Sequence, residues 1–112
     1  MEDEIPCKQV KIGDKFYESF EQIYDFGYET FGYFQAERYR HIIRKHLDML
    51  SEYYTYYPEC RHLATKSRMY RNIILDAHLI IYRITAKRIE VLDIIHGAMS
   101  ISKIRKVRKI RL

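Results

Sequence analysis

Three runs rich in Ile, Val, Leu and Tyr follow one another in the second half of the chain: Met69 to Leu75, Leu79 to Ile84 and Ile89 to Ile95. Only Asp76-Ala77-His78 and Thr85-Ala86-Lys87-Arg88 separate them. Gaps this short cannot hold a crossover helix, so consecutive runs must join as antiparallel hairpins. This meander limits the fold more than any other feature, because whatever precedes it must cover a sheet that is already apolar.

The preceding residues read as that cover. Lys8 to Ile12 alternates closely enough to be a short first strand, and Gly13-Asp14 punctuates it. From Asp14, a plausible N-cap, the pattern turns helical: Glu18 and Glu21 sit early, where the macrodipole favours acids, and Phe16, Phe20, Ile23 and Gly27 make one stripe. Gly32 stops this helix. A second helix from about Phe34 to Tyr54 places Ala36, Tyr39, Ile43, Leu47, Leu50 and Tyr54 on one face and Arg38, Arg40, Arg44 and Lys45 elsewhere. The short turn between them predicts an antiparallel helical hairpin. Pro58 pushes its predecessor out of the helical region and ends the second helix, and the tyrosines at 53, 54, 56 and 57 read as amphipathic rings at the edge of the core. The order β-α-α-β-β-β is an α+β pattern, a helical hairpin packed on a small antiparallel sheet. At 112 residues there is room for one core, and we expect a single domain over 1–100 followed by a basic tail or helix over 101–112.

Charge is polarised along the chain. Residues 1–35 carry eight acids and three bases, whereas residues 36–112 carry seven acids and seventeen bases. The excess ends in Lys103, Arg105, Lys106, Arg108, Lys109 and Arg111, six cations in the last ten residues. Ile104, Val107 and Ile110 recur between them every three residues, with Ile101 extending the stripe backwards. Such a segment either docks its apolar face on the sheet or a second subunit, or stays loose and binds nucleic acid or the acids of a partner protein. No run approaches the roughly 18 uninterrupted apolar residues of a membrane span. Cys7 and Cys60 form no CxxC motif or disulfide framework, and the acidic start lacks the basic-then-apolar plan of a secretory signal, so a reduced cytoplasmic protein is expected. His41 and His46 are five apart, about 140° around a helix, which does not suit a helical zinc site. Neither a metal nor a cofactor is expected.

Taken in order, Tyr70-Arg71-Asn72-Ile73-Ile74-Leu75, Leu79-Ile80-Ile81-Tyr82-Arg83-Ile84 and Arg88-Ile89-Glu90-Val91-Leu92-Asp93-Ile94-Ile95-His96-Gly97-Ala98 resemble the sheet region of the RelE/ParE toxin superfamily of type II toxin–antitoxin systems. The Tyr-Arg-Ile strand and terminal His-Gly-Ala are closer to its ParE-like, plasmid-stabilisation branch. The resemblance covers roughly residues 8 to 100 and implies a toxin neutralised by a cognate antitoxin, as a homodimer or a toxin–antitoxin heterotetramer. ParE-like members poison DNA gyrase, whereas RelE-like members enter the ribosome and cleave mRNA.

RNA cleavage needs a proton acceptor, cations for the pentacoordinate phosphate and an acid for the leaving oxygen. Arg71, Arg83 and His96 could fill these roles, with Lys87 or Arg88 on a neighbouring phosphate. The residue types argue the other way. The His-Arg pair that opens the middle strand in some ribonuclease members reads His78-Leu79 here, their His-Tyr ending is absent, and Met99 stands where ParE-like proteins often carry arginine. Arg71 and Arg83 can equally pair with Glu90 or Asp93 on the sheet, and His96 can simply bond backbone at a strand end. The leading expectation is a gyrase-binding ParE-like toxin, with Lys87, Arg88 and the six tail cations as target or nucleic-acid contacts. The alternatives are a ribosome-dependent mRNA endoribonuclease and a non-toxic interaction domain on the same scaffold.

Overall fold

The computed structural model describes residues 5–112. Its elements run β1 (Gln9–Ile12), α1 (Asp14–Phe31), α2 (Tyr33–Tyr53), β2 (Tyr70–Ile74), β3 (His78–Ile84), β4 (Arg88–His96) and α3 (Ile101–Lys106), with 3₁₀ turns at Arg61–Leu63 and Val107–Lys109. The expected β-α-α-β-β-β order is present, and helix and strand limits fall within one or two residues of those read from the sequence.

One feature of the sheet differs from expectation. Strands β2, β3 and β4 form the antiparallel meander, but β1 joins the far side of β4 in parallel, pairing Gln9 with Arg88 and Ile12 with Val91. The strand order is therefore β1-β4-β3-β2, and the sheet is mixed. The helical hairpin makes this topologically simple: it carries the chain out of β1, across one face, and back to the opposite edge.

Local chemistry sets the hairpin. Asp14 does not cap α1 with its side chain; Gly13 occupies the N-cap position, and Asp14 begins the first turn, where its charge still complements the macrodipole. Gly13 allows a close approach: a Cβ there would lie 3.3 Å from the Val91 carbonyl oxygen and would push aside the end of the Leu112 side chain, whose Cδ2 is 2.3 Å away. Gly32 alone joins the helices. Its φ of 92° and ψ of 173° lie in a region essentially restricted to glycine, and its N–H closes α1 on the Tyr28 carbonyl.

Each face of the sheet has its own core. Under the hairpin, Phe16, Ile43, Leu50 and Tyr54 meet Ile73, Ile80, Tyr82, Ile89, Val91 and Ile94. On the other face, Cys60, Leu63, Tyr70, Ile81, Leu92 and Ile95 meet Ile104 and Val107. A bulge divides β4 between the two: Tyr82 pairs with Val91 but Ile81 pairs with Asp93, so Leu92 is an extra residue and the inside-outside parity shifts. This is why Val91 and Ile94, three apart, share a face.

Of the two readings of the tail, docking is the one observed. Ser100 caps α3 by accepting the Lys103 N–H, and the helix then tightens into a 3₁₀ turn. A three-residue apolar repeat suits that change, because positions i and i+3 eclipse in a 3₁₀ helix and Ile104, Val107 and Ile110 stay in line. Ile101 does not join the stripe and is 47% exposed.

Candidate functional site

Arg71, Arg83 and His96 do not surround a common point. Arg71 lies at the start of β2 and is spent on backbone: its guanidinium donates to the carbonyls of Arg68, Thr55 and Tyr57, at 2.8, 3.0 and 2.9 Å. It stitches the segment after α2 to the sheet. Tyr82 assists from the adjacent strand by donating to the Tyr54 carbonyl at 2.6 Å, and burial pushes its phenol far above the ordinary range.

Arg83 is on the opposite face. It grips Glu90 at 2.6 and 2.9 Å and donates to the Ile110 carbonyl at 3.1 Å. Arg88 holds the second Glu90 oxygen at 3.0 Å and reaches the Leu112 carbonyl at 3.4 Å. Burial alone would raise the Glu90 carboxyl, but bonds from Arg83 and Arg88, with their charges, outweigh it and hold the group below its ordinary value. The cluster is a clasp: one carboxylate orients two arginines, and the arginines fasten the tail. The Arg83–Glu90 pair anticipated from sequence is present; its extension to the tail backbone is not readable from strand pattern.

His96 lies at the other end of the hairpin face. It pairs in the ladder with His78, four β3 residues from the partner of Arg71, or about 13 Å at 3.3 Å per residue. Its Nδ1 accepts the Ala98 N–H at 3.1 Å, the strand-end backbone bond anticipated above. The rings of His78 and His96 meet edge to face at 5.6 Å, and His78 Nδ1 is 2.7 Å from the Tyr39 hydroxyl. Burial and the neighbouring His96 hold His78 below its ordinary value, while burial raises Tyr39. Among the described residues, no three His, Cys, Asp or Glu side chains converge as a metal site. Cys7 is exposed and Cys60 buried, both as free thiols.

This histidine pair marks the polar end of a cleft of about 890 Å³ between the hairpin and the corner of β2 and β3. Phe20, Ile23, Tyr24, Phe26, Phe31, Ala36, Tyr39 and Ile42 supply its apolar wall, and Asp76, His78 and His96 its polar end. A hydrogen bond from Tyr24 to Glu37 braces the rim; that bond is the main reason the Tyr24 phenol is pushed up to about 12. Phe26, Phe31 and Phe34 are 66%, 65% and 85% exposed, an unusual investment of aromatic surface. These three residues were not singled out from sequence; Phe31, four residues past Gly27, continues the α1 core stripe, and only Phe26 lies off it, which is the signal that could have been found.

The cationic candidates separate into two groups. Lys87 is exposed in the β3–β4 turn and Arg88 belongs to the clasp. Lys103, Arg105, Lys106, Arg108, Lys109 and Arg111 are all exposed, and among the described residues none of them has an acidic salt-bridge partner. Four of them line a second groove on the tail face, with Arg61 and His62.

Comparison with known proteins adds three findings. The family model described as ParE toxin of type II toxin-antitoxin system, parDE, matches residues 10–101. Among solved structures, a chain of the chromosomal ParDE TA system from P. aeruginosa is similar in fold, with a TM-score of 0.66 at 17% identity over 80% of this chain and 96% of that one. No curated protein matches the sequence significantly.

Proposed function

The chain belongs to the ParE toxin family of type II toxin–antitoxin systems, and from that membership we propose that it acts in the cytoplasm by binding and poisoning DNA gyrase, and that a cognate antitoxin neutralises it. The observation that carries the choice of a binding toxin over a ribonuclease is the dispersal of Arg71, Arg83 and His96. Two lie at opposite ends of one sheet face, the third lies on the other face, and both arginines are committed to carbonyls or to Glu90. Phosphoryl transfer needs its base, acid and cations within hydrogen-bond reach of a single phosphate.

Neutralisation is assigned to the apolar cleft. A helical antitoxin segment laying an apolar face between Phe20, Ile23 and Ile42 would bury the exposed aromatic surface and leave its acids toward Arg38 and Arg40 at the rim. The outer edge of β2 is already bonded at Tyr70 and Asn72 by Cys60 and Pro58, so the edge left for strand addition in the same complex is that of β1.

The test is a gyrase supercoiling assay with the purified protein. Inhibited supercoiling with accumulation of cleaved DNA, reversed by the product of the adjacent reading frame, is expected. Full supercoiling activity at excess toxin overturns the gyrase reading, and new mRNA 5′ ends on induction would restore the ribonuclease.

A further inference from the structure

The tail groove differs chemically from the cleft. It has a volume of about 570 Å³ and is lined by Arg61 and His62 of the first 3₁₀ turn, Ala64, and Arg105, Lys106, Arg108 and Lys109. Among the described residues no carboxylate lines it, and Ala64 is its one aliphatic side chain. Self-repulsion among so many cations is a standing cost that an anion would relieve.

Docking turns the tail from a loose charge into a shaped surface. With Ile104 and Val107 buried, the pairs Arg105-Lys106 and Arg108-Lys109 are held outward at successive turns. Their repeat of three residues advances about 4.5 to 6 Å along the axis, between one and two nucleotide steps of a nucleic-acid strand at 3.4 Å each. Arg61 stands on the opposite wall, so the groove can hold a backbone between two cationic sides. We infer that this groove binds the phosphate backbone of duplex DNA without regard to sequence.

Charge and lining favour DNA over an acidic polypeptide. A peptide of the antitoxin type needs apolar anchors, which the hairpin cleft supplies in quantity and this groove lacks. Phosphate contacts need only donors and charge, and they position a protein on DNA without reading bases. The inference does not rest on the gyrase reading, because the attachment is a property of the toxin and DNA alone.

Fluorescence anisotropy of the purified full chain with short labelled duplexes of two unrelated sequences, without gyrase, tests it. Both duplexes should bind with similar affinity, and log K should fall against log[NaCl] with a slope of about −3 to −4 for roughly four phosphate contacts. The double variant R105Q/R108Q should reduce that slope by about 2 and weaken low-salt binding about tenfold or more, R61Q should reduce it by about 1, and R44Q, an equal charge loss on the exposed side of α2, should leave it unchanged. Circular dichroism and a thermal melt establish that each variant is folded. Absent duplex binding at low salt, a slope that ignores R105Q/R108Q and R61Q, an R44Q effect as large as theirs, or an acidic polypeptide that binds the groove more tightly than DNA would each overturn the proposal.

Discussion

Ile80 and Ile81 are neighbours in β3, both fully buried, yet they belong to different cores. Ile80 faces a hairpin of 18- and 21-residue helices, while Ile81 faces a 6-residue helix and two three-residue 3₁₀ turns. The long helices have more surface than the sheet can cover, and what is left over is aromatic. The short tail buries Ile104 and Val107 and half-buries Ile110, and what it leaves outward is mostly cationic. One sheet thus presents a surface suited to an amphipathic polypeptide on one side and to a polyanion on the other. The cover placed over each core, more than the core itself, sets the chemistry that a partner meets.

The largest test of this contrast uses that neighbouring pair. Ile80→Ala and Ile81→Ala should each cost about 3 kcal/mol in urea unfolding, within the range for buried large-to-small changes. In a chain ending at Ser100, the Ile81 cost should fall to half or less while the Ile80 cost persists, because the tail supplies Ile104 and Val107 to one core alone. Equal losses in both backgrounds would mean that the tail face is not a separate core.

A smaller effect, about 2 kcal/mol, is expected from Glu90→Gln, which keeps the side chain's shape but removes the charge between two guanidinium groups. The sign with pH follows from the depressed carboxyl. Its contribution is fully present above the ordinary value of 4.5 and is lost as pH falls through the lower folded value. The stability gap between wild type and Glu90→Gln should therefore close on acidification in that window; a gap independent of pH there would contradict the clasp.

The smallest effect is expected at the stripe position that does not dock. Ile101→Ser should change stability by less than about 0.5 kcal/mol, whereas Ile104→Ser should cost several times more, since only the second buries a hydroxyl in the tail-face core. Comparable losses at both positions would place Ile101 in a contact absent from the fold described above.

Periodicity was enough to read the hairpin and the meander, because in both the partners are near in sequence. It did not place β1, whose partner is more than 70 residues away and whose four residues are too few to distinguish a parallel from an antiparallel neighbour. The docking of the tail was partly legible. Tyr70, Ile81, Leu92 and Ile95 are apolar where a one-sided sheet would be polar, and near-continuous apolar strands indicate cover on both faces. The bulge at Leu92 hid this regularity by shifting parity within β4. Among the candidate site residues, residue type foretold local partners, such as Glu90 for Arg83 and backbone for His96. It could not foretell that the free guanidinium donors of Arg71 and Arg83 would be consumed by carbonyls in the α2–β2 connection and the tail. The cleft escaped notice because Phe20, Ile23 and Tyr39 of its wall also pack against the hairpin-face core and read as core stripe, while Phe26, Phe31 and Ile42 complete it from outside that core.

The pairing of β1 with β4 also imposes a timetable on synthesis. After Ile12 the ribosome must add residues 13–87 before Arg88, the first residue of the matching strand, exists. At about 5 to 20 residues per second, β1 waits roughly 4 to 15 s without its ladder. During that interval the hairpin can coil but has no sheet to cover, and neither the cleft nor the basic groove has its second wall. The cleft is completed when β4 slots between its neighbours and brings His96 to it, and the basic groove later still, once residues 105–109 have docked, so a partially made chain carries neither of them whole.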